Sequence, residues 1–126
     1  MHCSNAITKG IRFILDQQLA DGSWRGCWAV CFTYGTWFAM KALTLFANSS
    51  TYGKECALAI SKGIRFLLSM QNADGGWGEA FQSCVDGKYI QHPDGSQVVN
   101  TAWAALSLLS ANSDRKPIDS AIQVML

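Results

Sequence analysis

Between Gln18 and Phe38 the chain reads QLADGSWRGCWAVCFTYGTWF, a segment that holds three of the five tryptophans and carries no charge after Arg25. Its first seven residues follow the pattern Gln-x-x-Asp-Gly-x-Trp. The pattern returns at a constant offset of 53 (71 − 18 and 77 − 24), so the two copies are in register. The copies consist of Gln18, Asp21, Gly22 and Trp24, and of Gln71, Asp74, Gly75 and Trp77. Such a repeat indicates an architecture built from copies of one structural unit.

The similarity extends on both sides of the motif. Upstream, residues 6–15 (AITKGIRFIL) match residues 59–68 (AISKGIRFLL) at the same offset. Downstream, residues 36–40 (TWFAM) resemble residues 101–105 (TAWAA). The spacing from the motif tryptophan to the next matching tryptophan is 37 − 24 = 13 in the first copy and 103 − 77 = 26 in the second. The second copy therefore carries an insertion, whose length from these spacings is 26 − 13 = 13 and which we place within 78–99.

Composition limits the possible classes of protein. At 126 residues with 49% apolar residues, the chain is one domain or less and suits a buried core. The net charge is +1 and the charges are scattered, whereas nucleic-acid binding needs clustered Lys and Arg, so no nucleic-acid partner is expected. The five cysteines lack zinc-ligand spacing, which predicts no metal site, and their odd number without a preceding signal peptide predicts free thiols in a reducing compartment. The uncharged run 26–40 is too short to span a bilayer.

Hydrophobic periodicity predicts four helices, over residues 5–18, 32–47, 54–71 and 98–111, and a fifth that begins near Pro117. The first and third are amphipathic. The second and fourth are apolar on nearly all sides, which predicts burial all round. Amphipathic outer helices that alternate with buried inner helices predict an all-α fold. We expect an incomplete α/α toroid, part of an (α/α)6 barrel, built from helical hairpins with the repeated motif in the turns.

Two further expectations concern the outer helices. Arg12 and Asp16 lie at i, i+4 on the first helix and are predicted to pair. The Ala-Ile pair at Ala121 resembles the pair at Ala59, an offset of 62 (121 − 59), which predicts a third motif Gln near position 133 (71 + 62). That position lies beyond Leu126, so we expect the chain to be a piece of a longer protein, truncated at both ends.

These motifs resemble those of a known family. The repeated Gln-x-x-Asp-Gly-x-Trp resembles the QW motif of triterpene cyclases. Residues 28–37 (WAVCFTYGTW) resemble a signature of eukaryotic oxidosqualene cyclases, which include lanosterol, cycloartenol and amyrin synthases. Residues 71–84 (QNADGGWGEAFQSC) and 100–104 (NTAWA) resemble the family's next QW segment and the helix after it. The resemblance covers nearly the whole chain and implies that residues 1–126 are part of a squalene-cyclase-like α/α barrel domain, within the family's second, catalytic barrel.

The resemblance implies an isomerase that protonates the epoxide of 2,3-oxidosqualene and folds it through carbocations into a sterol or triterpenoid skeleton. Aromatic faces stabilise such cations, and a charge-poor lining excludes the water that would quench them. The implied partners are an apolar substrate of the oxidosqualene class and the remainder of the cyclase chain, with membrane contact only through missing parts. No cofactor and no metal are implied. The implied location is intracellular, monotopic on the endoplasmic reticulum membrane or a lipid droplet.

The resemblance also implies roles for particular residues. Cys31 matches the family cysteine whose thiol hydrogen-bonds the initiating aspartic acid, and such a bond tunes the proton affinity of that acid. Trp28 matches a cavity-lining tryptophan, and Trp77 is a second candidate for substrate binding. The remaining motif residues are interpreted as structural residues that cap and stack the turns: Gln18, Asp21, Gly22, Trp24, Gln71, Asp74 and Gly75, together with Trp77 itself.

The sequence departs from the family pattern at the proton donor. The family's initiating acid lies in an Asp-Cys-Thr-Ala-Glu string, and no Asp of this chain precedes a Cys. Glu79 follows the second motif and is the one acid expected near a cavity, where an open half-ring would leave it solvated and ionised. The 126-residue chain alone is therefore predicted to be inactive, although the family is enzymatic.

Two alternatives belong to other classes. A stand-alone protein with this sequence could be a non-catalytic, cyclase-like lipid-binding or interaction module, because its exposed inner helices would need a lipid or a partner. The β-subunit of protein prenyltransferases shares the toroid but needs a zinc site of Asp, Cys and His. The sequence contains just two histidines, His2 and His92, which argues against that enzyme.

Overall fold

The computed structural model describes residues 2–126, with side chains described from Ser4 onward. Its helices are α1 (His2–Asp16), α2 (Phe32–Thr44), α3 (Gly53–Met70), α4 (Gln82–Asp86), α5 (Val98–Ser110) and α6 (Arg115–Met125). The predicted all-α class is confirmed, and the five predicted helices are present with ends that agree within three residues. None of the helices described in this range combines the length and the apolarity needed to cross a membrane.

The helices form two layers, as expected for part of an α/α toroid. The inner helices α2 and α5 pack against each other. The outer helix α3 packs on α2, and the outer helix α6 packs on α5. Both layers contribute to one apolar core, whose largest fully buried aliphatic and aromatic side chains are Phe32, Met40, Leu43, Phe66, Leu67, Trp77 and Leu108. Burial of each such side chain contributes about 1.5–3 kcal/mol to stability.

The expectation that the inner helices are buried on all sides is wrong for this chain. Phe38 on α2 is 59% exposed, and Leu106 and Leu109 on α5 are 44% and 50% exposed. The outer helices cover one side of α2 and α5, and no element within residues 2–126 covers the opposite side. The inner layer therefore presents an open apolar face.

Each motif tryptophan completes the C-terminus of an outer helix. The last carbonyls of a helix have no partner within the helix. The indole N–H of Trp24 donates to the carbonyl of Ile14 near the end of α1, and that of Trp77 donates to Leu67 near the end of α3, both at 2.7 Å. Both rings are buried, at 4% and 0% exposure. The predicted equivalence of the two turns is therefore seen in their hydrogen bonds.

A threonine of each inner helix holds the backbone of the same tryptophan. The N–H of Trp24 donates to the hydroxyl of Thr36 at 3.1 Å, and that of Trp77 donates to the hydroxyl of Thr101 at 3.0 Å. The offset between the threonines is 101 − 36 = 65, compared with 77 − 24 = 53 between the tryptophans. The difference, 65 − 53 = 12, is the length of the insertion in the second repeat and is close to the predicted value.

The motif glutamines and glycines close the turns. The side-chain amide of Gln18 donates to the carbonyl of Gly22 at 2.9 Å, and that of Gln71 donates to Gly75 at 2.8 Å. The two glycines have φ angles of +94° and +97°, a region that side chains other than glycine rarely adopt. The same four residue types therefore produce the same turn twice.

The same glutamine amides also donate to a carbonyl of the next outer helix. These two contacts give the true offset between the second and third outer helices. Gln18 donates to Ala59 on α3 at 2.8 Å, and Gln71 donates to Pro117 on α6 at 3.1 Å. The offset between the two acceptors is 117 − 59 = 58, so the predicted offset of 62 is wrong. Ala121 therefore corresponds to position 63 (121 − 58) and not to Ala59.

The predicted pairing within α1 is also replaced by a contact between neighbouring outer helices. Arg12 forms a bidentate ion pair with Glu55 on α3, with one nitrogen–oxygen distance of 3.0 Å. The structure gives no ion pair between Arg12 and Asp16 within the described residues. A bidentate carboxylate contact fits the planar guanidinium better than a single contact along one helix does.

The long connection between the second turn and α5 folds back on itself. Ala80 N–H donates to the Ile90 carbonyl and His92 N–H donates to the Gly78 carbonyl, both at 2.8 Å. An isolated antiparallel bridge joins Glu79 to Gln91, and α4 occupies the residues between. This connection brings Glu79 to the inner layer.

Candidate functional site

The N-terminus of α2 is bound by a carboxylate from the second repeat. Glu79 Oε1 accepts a hydrogen bond from the Phe32 N–H at 2.8 Å, and Oε2 accepts bonds from the Thr33 N–H at 2.7 Å and from the Thr33 hydroxyl at 2.6 Å. The first N–H groups of a helix lack partners within the helix, and its dipole favours a negative charge there. Glu79 therefore caps α2 from 47 residues away in sequence.

The expectation that Glu79 is solvated is wrong, because this residue is only 1% exposed. Gly78 allows this placement: a Cβ atom at that position would overlap the carbonyl of Gly95. Because Gly78 has no side chain, the backbone before Glu79 can pass close to Gly95. The sequence shows an acid two residues after the motif tryptophan. No sequence pattern near Glu79 indicates that its partners are at the start of α2, 46 and 47 residues away.

Cys31 immediately precedes α2 and is fully buried. Among the described residues its thiol has one long hydrogen bond, to the Ala29 carbonyl at 3.7 Å. The pKa of the Cys31 thiol is raised to about 11, mainly by burial and further by the neighbouring Cys84 and Glu79. The thiol therefore stays protonated at neutral pH and is able to donate a hydrogen bond to an acceptor placed beside it.

Trp28 lies in the loop before Cys31 and is 79% exposed. Its backbone N–H donates to the hydroxyl of Tyr34 on α2 at 3.0 Å. Ala29 adopts φ +57°, a left-handed conformation that turns the chain between Trp28 and Cys31. The loop thus brings the tryptophan and the cysteine predicted from the resemblance to the same end of α2, one exposed and one buried.

Trp77 is placed differently from the expectation that it binds substrate. Its ring has no exposed surface, and its indole N–H is engaged by Leu67. In this structure Trp77 serves the turn, as Trp24 does, and presents no face to a cavity. The physical reason is that the motif places its tryptophan between the outer and inner layers.

The aspartates of the two motifs are engaged within their turns. Asp21 accepts hydrogen bonds from the N–H of Ser23 at 2.9 Å and from its hydroxyl at 2.6 Å. Asp74 accepts bonds from the Gly76 N–H at 2.9 Å and from the Ser96 hydroxyl at 2.7 Å. The bond from Ser96, followed by that from Gly76, holds the pKa of Asp74 below its usual value.

Sequence reasoning did not anticipate an aromatic cluster on the open face of the inner layer. Tyr34 lies edge-on to Trp103 with ring centroids 5.7 Å apart, and Trp37 lies 4.7 Å from Phe38 and 6.5 Å from Trp103. The Lys41 ammonium sits 5.8 Å from the centroid of Trp37. The downstream match of residues 36–40 with residues 101–105 was the signal that could have revealed it, because it places aromatic rings at corresponding positions of adjacent helices.

Polar groups near Glu79 complete the buried end of the site. The Tyr89 hydroxyl is buried without a hydrogen-bond partner among the described groups. Burial, and then the charge of Glu79, raises the pKa of that hydroxyl. At the surface, the guanidinium of Arg25 donates to the Cys84 carbonyl at 2.7 Å. In the part of the chain that the structure describes, no group of three or more His, Cys, Asp or Glu side chains could hold a metal ion.

Paired helical layers, repeated tryptophan turns and an open aromatic face define a segment of a cyclase-type α/α toroid. The family model of the squalene-hopene cyclase C-terminal domain matches residues 2–126, and the chain belongs to this family. The resemblance to triterpene cyclases inferred from the motifs is therefore confirmed.

Curated relatives agree with this family. The chain is 48% identical to a lanosterol synthase of Homo sapiens over 104 residues, which are 82% of this chain and 14% of that protein. It is 41% identical to a lanosterol synthase of Pneumocystis carinii over 128 residues and 46% identical to a cycloartenol synthase of Dictyostelium discoideum over 124 residues. These two matches each cover 98% of this chain and 17% of the relative. The chain thus spans about one sixth of the length of these relatives.

Proposed function

We propose that the chain is a segment of the catalytic domain of an oxidosqualene cyclase, which converts 2,3-oxidosqualene to a sterol or triterpenoid skeleton by proton-initiated cyclisation. The observation that carries this proposal is the position of the Cys31 thiol, which is fully buried at the start of an inner helix. Identity to the lanosterol and cycloartenol synthases supports the choice of reaction.

In the proposed reaction the Cys31 thiol donates a hydrogen bond to the carboxyl group that protonates the epoxide. We assign that acid to the remainder of the cyclase chain, because no Asp of this sequence precedes a Cys. A hydrogen bond that favours the ionised form of a carboxyl group lowers its proton affinity and makes it a stronger donor. The long bond from the thiol to Ala29, at 3.7 Å, leaves the thiol available for such an acceptor.

Trp28 is proposed to line the substrate cavity, because its ring is exposed at the end of α2 that holds Cys31. An aromatic face stabilises a nearby cation by about 2 kcal/mol or more when the pair is desolvated. Trp77 is assigned to the scaffold, since its ring is fully buried. The remaining catalytic groups, and the elements that cover the open face and exclude water, are proposed to belong to the rest of the cyclase chain.

The proposed substrate also determines the setting in which the enzyme works. Oxidosqualene is an apolar molecule of the membrane interior, so we propose an intracellular, monotopic enzyme on the endoplasmic reticulum membrane or on a lipid droplet. Membrane contact is assigned to other parts of the cyclase chain. The site residues described here require neither a cofactor nor a metal for their proposed roles.

The test is steady-state kinetics of a full-length cyclase that carries this segment, with Cys31→Ala as the variant. We expect kcat to fall about tenfold with KM unchanged, because one hydrogen bond to a charged group is lost while the cavity remains. Cys56→Ala is the matched control, since it removes a second fully buried thiol outside the site. An unchanged kcat in Cys31→Ala would show that the cysteine serves packing alone.

The open apolar face favours one alternative, a non-catalytic lipid-binding or interaction module. Phe38, Leu106 and Leu109 are exposed there, and the initiating motif is absent from the sequence. The 126-residue chain should not cyclise oxidosqualene under either hypothesis. The two hypotheses separate when the chain is mixed with vesicles that contain squalene: saturable binding of the purified, folded chain supports the module, and absence of binding supports the segment.

A further inference from the structure

We propose that Glu79 is a positioning residue of the cyclisation, because its carboxylate fixes the start of α2 and thereby the thiol of Cys31. This inference rests on the proposed function of Cys31. The carboxylate of Glu79 is bound by Phe32 and Thr33 at the start of α2. It acts through the backbone that carries the thiol.

The start of α2 needs an external cap. Helices usually begin with a Ser, Thr, Asp or Asn whose side chain accepts a bond from the first free N–H groups. The residue at that place here is Cys31, whose backbone is in the helical region at φ −92° and ψ −33° and whose side chain makes no capping bond with any described residue. A thiol is a weak acceptor. Glu79 supplies the missing acceptors for the next two residues, Phe32 and Thr33.

The contact is strong and specific. Three donors converge on one carboxylate at 2.6–2.8 Å, the range of charge-assisted hydrogen bonds. Glu79 and Thr33 are 1% and 0% exposed, so solvent does not compete for these bonds. The bonds hold the first two residues of α2, and these directly follow Cys31 along the chain.

Cys31 is then held from both sides. Its carbonyl accepts a hydrogen bond from the Gly26 N–H at 2.8 Å, while Glu79 binds the two residues that follow it. Ala29 adopts φ +57° just before it. With the backbone fixed at these points, the thiol makes the long bond to Ala29 and lies beside the side chain of Cys84. Release of the Glu79 contact would free one of the two anchors.

Comparison of the two turns separates this role from turn formation. The first turn makes the same tryptophan, glutamine and threonine bonds as the second, although Gly26 stands where the second turn has Glu79, two residues after the motif tryptophan. The turn therefore does not need the carboxylate. Glu79 is present for its partner, the start of α2.

Replacement of Glu79 by Gln keeps the size of the side chain but not its bonding. One amide oxygen remains to accept a bond, whereas the amide nitrogen would face the N–H and hydroxyl donors of Thr33. We therefore expect the start of α2 to loosen and the thiol to lose its fixed orientation. Because this effect acts through Cys31, Glu79→Gln should cost no more kcat than loss of the thiol does, about tenfold.

The test is a double-mutant cycle in a full-length cyclase that carries this segment. Glu79→Gln should lower kcat about tenfold with KM unchanged, and it should cause no further loss when Cys31 is already Ala. Asp74→Asn is the control, because that carboxylate bonds Gly76 and Ser96 inside the second turn. It should leave kcat unchanged for the folded enzyme.

The outcomes distinguish this inference from the proposed function. If Cys31→Ala leaves kcat unchanged, the proposed function fails. Two outcomes overturn the positioning role while the proposed function stands. In the first, Cys31→Ala lowers kcat but Glu79→Gln does not. In the second, Glu79→Gln lowers kcat by the same factor whether residue 31 is Cys or Ala. Should Glu79→Gln fail to fold, Thr33→Val removes a single donor to the carboxylate. Its loss of kcat, about threefold, should likewise vanish in the Cys31→Ala background.

Discussion

Replacement of Trp77 by Phe should destabilise the chain far more than the same replacement at Trp28. Trp77 is fully buried, and its indole N–H binds the Leu67 carbonyl at 2.7 Å. Leu67 lies in the last turn of α3, where carbonyls lack partners within the helix. Phenylalanine retains the apolar ring but supplies no donor and fills less volume.

The magnitude follows from two contributions. Loss of about three buried ring atoms costs about 2 kcal/mol, at about 0.8 kcal/mol for each methylene-sized group. Loss of the partner of a buried carbonyl costs about 1 kcal/mol more. The expected destabilisation is therefore about 3 kcal/mol for Trp77→Phe. Trp28 is 79% exposed, and its backbone N–H bond to Tyr34 does not depend on its side chain. The expected change there is less than about 0.5 kcal/mol.

The assay is urea unfolding of the purified chain, followed by circular dichroism in the far ultraviolet, with both variants measured beside the original protein. Equal destabilisation of the two variants, or a change of less than about 1 kcal/mol for Trp77→Phe, would refute the assignment of Trp77 to the turn. The reasoning would also fail if Trp28→Phe were the more destabilising variant.

Two further predictions concern stability. Burial raises the pKa of the Cys31 thiol from 9.0 to about 11, so between these pH values the folded state keeps a proton that the unfolded state loses. The contribution of this thiol to the free energy of unfolding is therefore complete below pH 9 and falls as pH rises toward 11. The fall is at most about 1.4 kcal/mol per pH unit. Urea midpoints between about pH 7 and pH 10.5 measure this fall, and Cys31→Ala should reduce it; a flat profile above pH 9 would contradict the prediction. The equivalent helix glycines Gly10 and Gly63 should respond oppositely to alanine, because a Cβ atom at Gly10 meets nothing within 4 Å whereas one at Gly63 lies 2.7 Å from the Met40 sulfur. Gly10→Ala should stabilise the chain by about 0.5–1 kcal/mol and Gly63→Ala should destabilise it by about 1–3 kcal/mol, so thermal melting shifts of the same sign would be evidence against the packing described.

The sequence predicted those features that repeat locally. The constant offset of 53 between the two motifs (77 − 24) correctly placed Trp24 and Trp77 in equivalent turns, because the same residue types make the same short-range bonds. Helix ends agreed within three residues, since apolar periodicity and glycine turns mark them. The third repeat was misaligned because α6 shares little more than an Ala-Ile pair with α3, and the acceptor carbonyls of Ala59 and Pro117 carry no sequence signal.

The candidate site was less predictable because its contacts are distant in sequence. The family resemblance led to Cys31 and Trp28, but nothing near Glu79 revealed that its partners are 46 and 47 residues away. Arg12 likewise pairs with Glu55 on α3, whereas the sequence predicted a pair with Asp16 on its own helix. The sequence left two roles open for Trp77, in the turn or at a cavity, because it does not distinguish a tryptophan between two layers from one that faces a cavity.

Transfer of this chain into a relative tests the central claim most directly. In the human lanosterol synthase, which is 48% identical over 104 residues, the aligned segment would be replaced by that of this chain, and the purified chimera would be incubated with oxidosqualene. Mass spectrometry of the extract measures the rate at which cyclised triterpene forms. We predict cyclisation within about tenfold of the parent rate, because the chain supplies the buried thiol, the capped α2 and the exposed Trp28 that the proposed site requires. A chimera that folds with a melting temperature near that of the parent but forms no cyclised product would contradict the claim.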